Sequence, residues 1–369
     1  MSTLNTSAKE LLVYFGTTNE KNSSKGIYVS RFDTETGRLT PAVLAAPIES
    51  PMFLSLHPTK NVLYAVGEKA APKGKTLGYL ASYTIDFTSG KLTPLNTQPS
   101  KGDALCYVQI DATGRAALAA SYRDGTVMAF PLHDDGSLKE VVSIVRHSGS
   151  SVHPRQKAPH AHCIDLDPAN RYALVADLGT DQVITYTLNQ ETPVLAPHAR
   201  SFHSKPGAGP RHIAFSRDAR QAYIINELDS TLTVANYNAE TGALEEQQSL
   251  PLLPSYFKGQ STAAEVAVHP SGRFVYASNR GFDSIAVFER ALGTGRLTFR
   301  SFATEGFSHP RHFTIDSTGR WLLCANRDTN TVTVYAIDSG SGQLKLVYTL
   351  TDVAMPTCVT LATPDVAKP

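Results

Sequence analysis

The chain has 369 residues, and its 34 Lys and Arg nearly balance 33 Asp and Glu, for a formal charge of +1. That balance excludes a global field favouring nucleic acid or an anionic membrane. Hydrophobic residues at 41% suffice for a large core, yet no run approaches the roughly 18 apolar residues of a spanning helix.

Residues 1–10 are polar and contain no apolar stretch of the kind a signal peptide needs. They read as a flexible N-terminal segment of a cytoplasmic protein. Three β-rich runs follow, at 11–15, 26–32 and 39–45. The last of these opens with a phrase that then recurs along the chain: a turn residue, Gly, one variable residue, Leu. It reads Thr36-Gly37-Arg38-Leu39, Ser89-Gly90-Lys91-Leu92, Asp135-Gly136-Ser137-Leu138, Thr241-Gly242-Ala243-Leu244, Thr294-Gly295-Arg296-Leu297 and Ser341-Gly342-Gln343-Leu344. A degenerate copy without Gly is Thr192-Pro193-Val194-Leu195. The Leu positions (39, 92, 138, 195, 244, 297, 344) stand 53, 46, 57, 49, 53 and 47 residues apart. A period of about 50 residues filled with β-type segments signals a propeller.

A second phrase runs in phase with the first. An apolar segment, a polar turn and a β-rich run recur, as in Ile164-Asp165-Leu166-Asp167-Pro168 followed by residues 171–177. A third run follows each, such as Thr331-Val332-Thr333-Val334-Tyr335. Short alternating, β-branched stretches bounded by Gly, Asp and Asn are strands. Each unit is therefore four antiparallel strands, a to d, with the Gly-x-Leu phrase at the c–d hairpin. Strand a recurs near residues 53, 105, 163, 213, 265, 313 and 357. The last copy, Cys358-Val359-Thr360-Leu361, lacks b, c and d, which the three N-terminal runs supply. The expected fold is an all-β, seven-bladed propeller. It spans residues 11–362 as one domain, closed by the pairing of both chain ends and followed by a tail at 363–369. A closed ring needs no partner, so a monomer is expected.

Cys106, Cys163 and Cys358 fall at equivalent places early in strand a, and Cys324 lies in a strand b. They read as small buried thiols, and no CxxC spacing offers a zinc site. In this topology the residues just before strand a and just after strand b share one face, at the mouth of the central channel. Before strand a stand Met52, His160, His162, Arg211, His212, Glu265, Arg311 and His312. After strand b stand Glu68, Tyr122, Arg123, Asp177, Glu227, Arg280 and Arg327. A cluster of His, Arg and carboxylates at one mouth suits acid–base chemistry on an anionic small molecule.

Pro159-His160-Ala161-His162, Ala176-Asp177-Leu178-Gly179, Gly207-Ala208-Gly209-Pro210-Arg211-His212, Asn226-Glu227-Leu228-Asp229-Ser230, Ala263-Ala264-Glu265 and Ser278-Asn279-Arg280-Gly281 resemble the seven-bladed lactonase family. That family includes bacterial propeller-type 6-phosphogluconolactonase and fungal carboxy-muconate lactonizing enzyme. The likeness runs from about residue 11 to 361. It implies a site without metal or cofactor, made of a His, a Glu and two Arg. On this chain these are His160 or His162, Glu227, Arg211 and Arg280. His160 is taken as catalytic, and His162, Asp177, His212, Glu265 and Arg311 as substrate-binding. Pro310-Arg311-His312-Phe313 departs from the pattern, with His where Asp is expected.

The resemblance implies hydrolysis of an anionic sugar-acid lactone, 6-phosphogluconolactone foremost, as in the pentose phosphate pathway. In that scheme Arg211 and Arg280 hold the anion, and His160 or Glu227 serves as general base. Muconate lactonization and a non-enzymatic binding scaffold are the alternatives. The mouth segments 146–159 and 254–262 read equally as lids or as solvated insertions.

Overall fold

Each Gly of the recurring phrase takes a left-handed backbone conformation, from φ 67° at Gly242 to 88° at Gly136. That conformation is open to Gly at little steric cost, and it turns strand c back into strand d. In this computed structural model, which describes residues 10–19, 23–70, 76–101, 103–198 and 201–364, the result is seven antiparallel sheets. Five have four strands; in the other two the outermost strand is in two pieces. No helix occurs among the described residues, and none is long and apolar enough to cross a membrane. The expected N-terminal segment (Glu10 excepted) and the tail from 365 onward lie outside the described residues.

The ring closes as expected. Strand Glu10–Thr17 pairs antiparallel with the C-terminal Pro356–Ala362, setting Val13 opposite Leu361 and Phe15 opposite Val359. Blade 1 begins at Leu54–Leu56, and blades 2 to 7 at Tyr107–Ile110, Ala161–Leu166, Pro210–Phe215, Thr262–Val268, Pro310–Ile315 and Pro356–Ala362. Each of these innermost strands packs on the next, and the seventh packs on the first. The core is a set of apolar clusters between blade faces, such as Tyr64, Val66 and Leu80 of blade 1 with Val108, Ala119 and Met128 of blade 2.

Neighbouring blades are also latched. Tyr14, Tyr64, Tyr223 and Tyr276, on their strands b, donate through Oη to the carbonyls of Gly90, Gly136, Gly295 and Gly342 in the next blade, at 3.0, 2.6, 3.4 and 2.8 Å. Tyr172 donates to Glu240 and Trp321 Nε1 to Thr34 in the same way. Blade 2 holds no aromatic donor in its strand b, Ala116–Ser121, and it faces the degenerate phrase without Gly. The two irregularities in the repeat are thus one: both halves of a latch are missing together.

Candidate active site

Entry into the channel depends on a Pro. Gly209, His309 and Met355 each precede the Pro that opens an inner strand, Ser50 precedes Pro51 just ahead of Leu54–Leu56, and all four have left-handed φ (67°, 52°, 41° and 48°). Just inside, the register slips. Pro210 faces Asn226 while His212 faces Ile225, leaving Arg211 as the extra residue of a β-bulge. The same slip leaves Arg311 extra in blade 6 and His162 extra in blade 3, and another falls between Ala263 and Val266 around Glu265. A bulge re-aims one side chain out of the alternation of its strand. Four blades use it here to turn His162, Arg211, Glu265 and Arg311 toward the channel.

The ends of strands b supply the rest. Asn226, Asn279 and Asn326 are fully buried, and their Nδ2 groups donate to Thr or Ser hydroxyls of strand c, fixing the b–c hairpin. The residue after each, Glu227, Arg280 or Arg327, lines the mouth cavity.

Glu227 is the hub. It is 3% exposed, and three guanidiniums converge on it. Arg211 Nε and Arg280 Nη2 lie 3.0 and 2.9 Å from Oε2, and Arg155 Nη1 lies 2.7 Å from Oε1. Burial alone would raise this carboxyl, but Arg280, Arg211 and Arg155 together hold it well below the usual carboxylate range. Arg211 and Arg280 also donate to the carbonyls of Ala264 and Ala263. Burial pushes Arg280 down to about 10 despite Glu227.

Beneath them lies a second layer. His212 Nδ1 is 2.9 Å from Glu265 Oε2, and Arg211 Nη1 is 3.2 Å from His212 Nε2. His312 Nε2 lies 3.4 Å from the same Glu265 oxygen. Burial, then Arg211 and Arg311, drives His212 well below the usual histidine range; burial lowers His312 to about 4. Below this layer Phe53 stacks on Tyr107 at 4.2 Å and meets His212 and His312 edge-on, filling the channel centre.

The mouth is therefore a cup, with a volume of about 620 Å³. His162 lines it, and its buried Nδ1 has no partner. Burial, then Arg211 and His212, holds this ring neutral well below the usual histidine range. His160, taken from the sequence as catalytic, does not line the cup. Its ring stacks on Tyr122 at 4.4 Å, and its Nδ1 is bound to the Tyr122 carbonyl at 2.6 Å. The bulge at His162, invisible in the sequence, is what brings that ring to the cup.

Asp177 also moves from the substrate to the scaffold. It is fully buried; Oδ1 accepts the amides of His160, Gly179 and Thr180, and Oδ2 lies 2.5 Å from His147 Nδ1. His212 and Glu265 lie under the cup floor rather than on it, and Arg211 faces Glu227 from below. Arg311 does line the cup.

Arg155 was not singled out from the sequence, although it lies in the 146–159 segment. That segment is a pinned arm. Gln156 is wholly buried, donating to the Leu178 carbonyl and to Asp181 Oδ1, and Ser151 Oγ donates to Asp181 Oδ2. The arm delivers Arg155 to Glu227 and to Tyr122 Oη, 2.8 Å away. Its abundance of basic and turn residues was the only signal. The 254–262 segment packs Phe257 on Phe282 and leaves Tyr256 75% exposed.

The family profile described as "Lactonase, 7-bladed beta-propeller" matches residues 12–361. A 6-phosphogluconolactonase of Bacillus subtilis is 37% identical over 347 residues, covering 94% of this chain and 97% of that protein. Another, of Formosa agariphila, is 30% identical over 340 residues, covering 90% and 94%. The solved structure of a Pseudomonas aeruginosa periplasmic gluconolactonase superposes with a TM-score of 0.90 at 31% identity, covering 96% of this chain and 99% of that one. Fold, site and relatives agree: the chain belongs to the seven-bladed β-propeller lactonase family.

Proposed function

We propose that this protein hydrolyses 6-phosphogluconolactone to 6-phosphogluconate at the mouth cup, without a metal. One observation carries the reading: the cup combines a cluster of guanidiniums with separate carboxylates. Arg280, Arg311 and Arg327 line it from blades 5 and 6, while Glu49 and Glu68 line it from the entry to blade 1 and from blade 1 itself, with Arg123 near Glu68. Guanidiniums suit the phosphate and the developing oxyanion. The carboxylates, with Ser50 and Asn19, suit the hydroxyls of a sugar. A muconate carries carboxylates and no hydroxyls, so Glu49 and Glu68 disfavour it. Cationic side chains on the wall likewise oppose a divalent ion.

In the proposed reaction the unpartnered Nδ1 of His162 takes a proton from water as its oxygen attacks C1 of the lactone. Arg280 faces the oxyanion. The tetrahedral adduct collapses by breaking the bond from C1 to the ring oxygen, and His162 returns its proton to that oxygen. Glu227 has no proton to give, and the three guanidiniums that hold it ionised make it a poor base. It serves as the buried counter-ion that fixes Arg211, Arg280 and Arg155. This revises the role read from the sequence, where His160 or Glu227 activated water. We further propose a monomer in the cytoplasm, a compartment that suits four free thiols.

The test is proton release from freshly made 6-phosphogluconolactone, gluconolactone and a muconolactone, with and without chelator. The expected result is chelator-resistant turnover of the phosphorylated lactone. Preference for gluconolactone would align the chain with its periplasmic relative, and turnover of none would favour a binding role.

A further inference from the structure

The five arginines that line the cup differ in what they hold. Arg155 and Arg280 are bound to Glu227. Arg123 reaches Thr76 Oγ1 at 2.7 Å and lies 3.8 Å from Asp103. Arg327 Nε is 2.8 Å from Asp328 Oδ1. Arg311 alone has no ion pair and no hydrogen bond among the described residues, although the Pro310–His312 bulge turns it inward. Two residues away, His309 also lines the cup: its Nδ1 lies 3.5 Å from Asp328 Oδ2, and its buried Nε2 has no partner among the described residues. Its main chain is fixed: the His309 amide donates to Asp283 Oδ1 at 2.9 Å, and its carbonyl accepts the Arg327 amide at 3.4 Å.

Arg311 is half-buried on the cup wall, so its guanidinium is partly desolvated with no counter-ion bound to it. A fold that turns such a group into its cup, beside an imidazole with one nitrogen free, holds a place for an anion. Burial, then Arg211 and Arg280, lowers Arg311 to about 9, and Glu227 offsets this only in part. Burial, then Arg327 and Arg280, lowers His309 to about 3, so its ring is neutral; with Nδ1 facing Asp328 Oδ2 its one N–H belongs there, and Nε2 is left as an acceptor.

We infer that Arg311 and His309 form the phosphate subsite of the cup, a specificity element that selects a phosphate monoester over the unphosphorylated lactone. The Arg311 fork takes two phosphate oxygens, and His309 Nε2 accepts from the protonated oxygen of the phosphate monoanion, leaving Arg280 to the lactone carbonyl. Arg211 and Arg280, expected from the sequence to hold the anion, are instead held in ion pairs with Glu227, which they share with Arg155. This assignment rests on the lactonase reading for its substrate, but not for its ligand chemistry.

The experiment measures binding first. Inorganic phosphate, 6-phosphogluconate and gluconate are titrated calorimetrically, at constant ionic strength, into the full chain and into Arg311→Gln, Arg311→Lys and Arg123→Gln. Arg311→Gln should weaken phosphate and 6-phosphogluconate about a hundredfold, since hydrogen bonds to charged groups are the strong ones. Gluconate should be unaffected, Arg311→Lys should recover part of the loss, and Arg123→Gln should bind as the parent does. Thermal melting gives a second readout. Arg311→Gln should melt at or above the parent temperature, because it removes an unpaired, half-buried charge and breaks no contact, and phosphate should raise the melting point of the parent and of Arg123→Gln but not that of Arg311→Gln.

Equal weakening of gluconate and 6-phosphogluconate would overturn the assignment, as would phosphate binding that ignores Arg311. Phosphate held by Arg311 in a protein that turns over no lactone would leave this subsite standing and remove the lactonase reading. Turnover with Arg311-independent phosphate binding would do the reverse.

Discussion

His212 donates from Nδ1 to Glu265 at 2.9 Å and so leaves Nε2 to accept Arg211, 3.2 Å away. Through Arg211 Nε this chain reaches Glu227, so a carboxylate below the cup floor orients the guanidinium above it. Glu265 is on this account a positioning residue. Glu265→Ala frees the His212 tautomer and removes the acceptor that aligns Arg211. Misplacing a catalytic constellation by about 1 Å can cost about 10²-fold, and a loss of that order in kcat, with KM little changed, is expected. Glu265→Gln, which keeps an acceptor, should restore most of the rate. If both variants lose rate equally, the carboxylate acts by charge and the positioning role falls.

The two histidines of Pro159-His160-Ala161-His162 should separate cleanly. General-base help is worth about 10²–10⁴-fold, so His162→Gln should lower kcat by that order. His160→Gln removes only a ring stacked behind Tyr122 and should stay within about tenfold of the parent, with a modest loss in melting temperature. Steady-state kinetics on both variants decides it, and the reverse ranking would return the base to His160.

That distinction marks where legibility ended. The blades were readable because Gly-x-Leu answers a backbone need, and closure was readable because strand a at 358–361 lacked partners. The face of the site followed from strand direction, so Glu227, Arg280 and Arg311 could be placed near one another. What periodicity cannot show is a bulge. Strict alternation gives no reason for His162 rather than His160 to face the cup, nor for Arg211 to sit beneath Glu227 instead of facing substrate. Asp177 looked available for the same reason, since its capping of three amides depends on a loop conformation. Arg155 arrives from an irregular arm pinned by Gln156, where no repeat constrains the path.

Acid should destabilise the fold well before the carboxylates titrate. Histidine in an unfolded chain titrates near 6.5, whereas burial keeps His162 and His212 well below that, His312 at about 4 and His309 at about 3. A lowered histidine contributes stability above 6.5 that is lost as pH falls toward the folded value. Burial raises Asp165 to about 7, and raises Glu265; raised carboxyls act in the opposite sense. Four against one, with part of a second, leaves unfolding near pH 5 to take up about two to three protons. Urea midpoints should therefore drop steeply from pH 7 to pH 5. A flat profile would mean that the four histidines are not held neutral.

The inter-blade latches give the last expectation. A neutral hydrogen bond contributes about 1 kcal/mol, so Tyr64→Phe and Tyr276→Phe should each lower stability by about that much. They latch different blade pairs and share no partner, so the double variant should sum. Gly342→Ala should cost more than either. Its φ is 74° and a Cβ there would meet Phe274 Cδ1 at 2.6 Å, so left-handed strain of about 1–2 kcal/mol adds to a displaced ring. Pro193→Gly at the degenerate phrase is the control. It supplies the missing Gly but faces a strand of Ala116, Ala117, Leu118, Ala119, Ala120 and Ser121 with no phenol to donate. It should gain no latch and lose the rigidity of Pro. If Pro193→Gly stabilised the fold, the Gly would matter for its turn alone, and the pairing of Tyr with Gly across blades would be incidental.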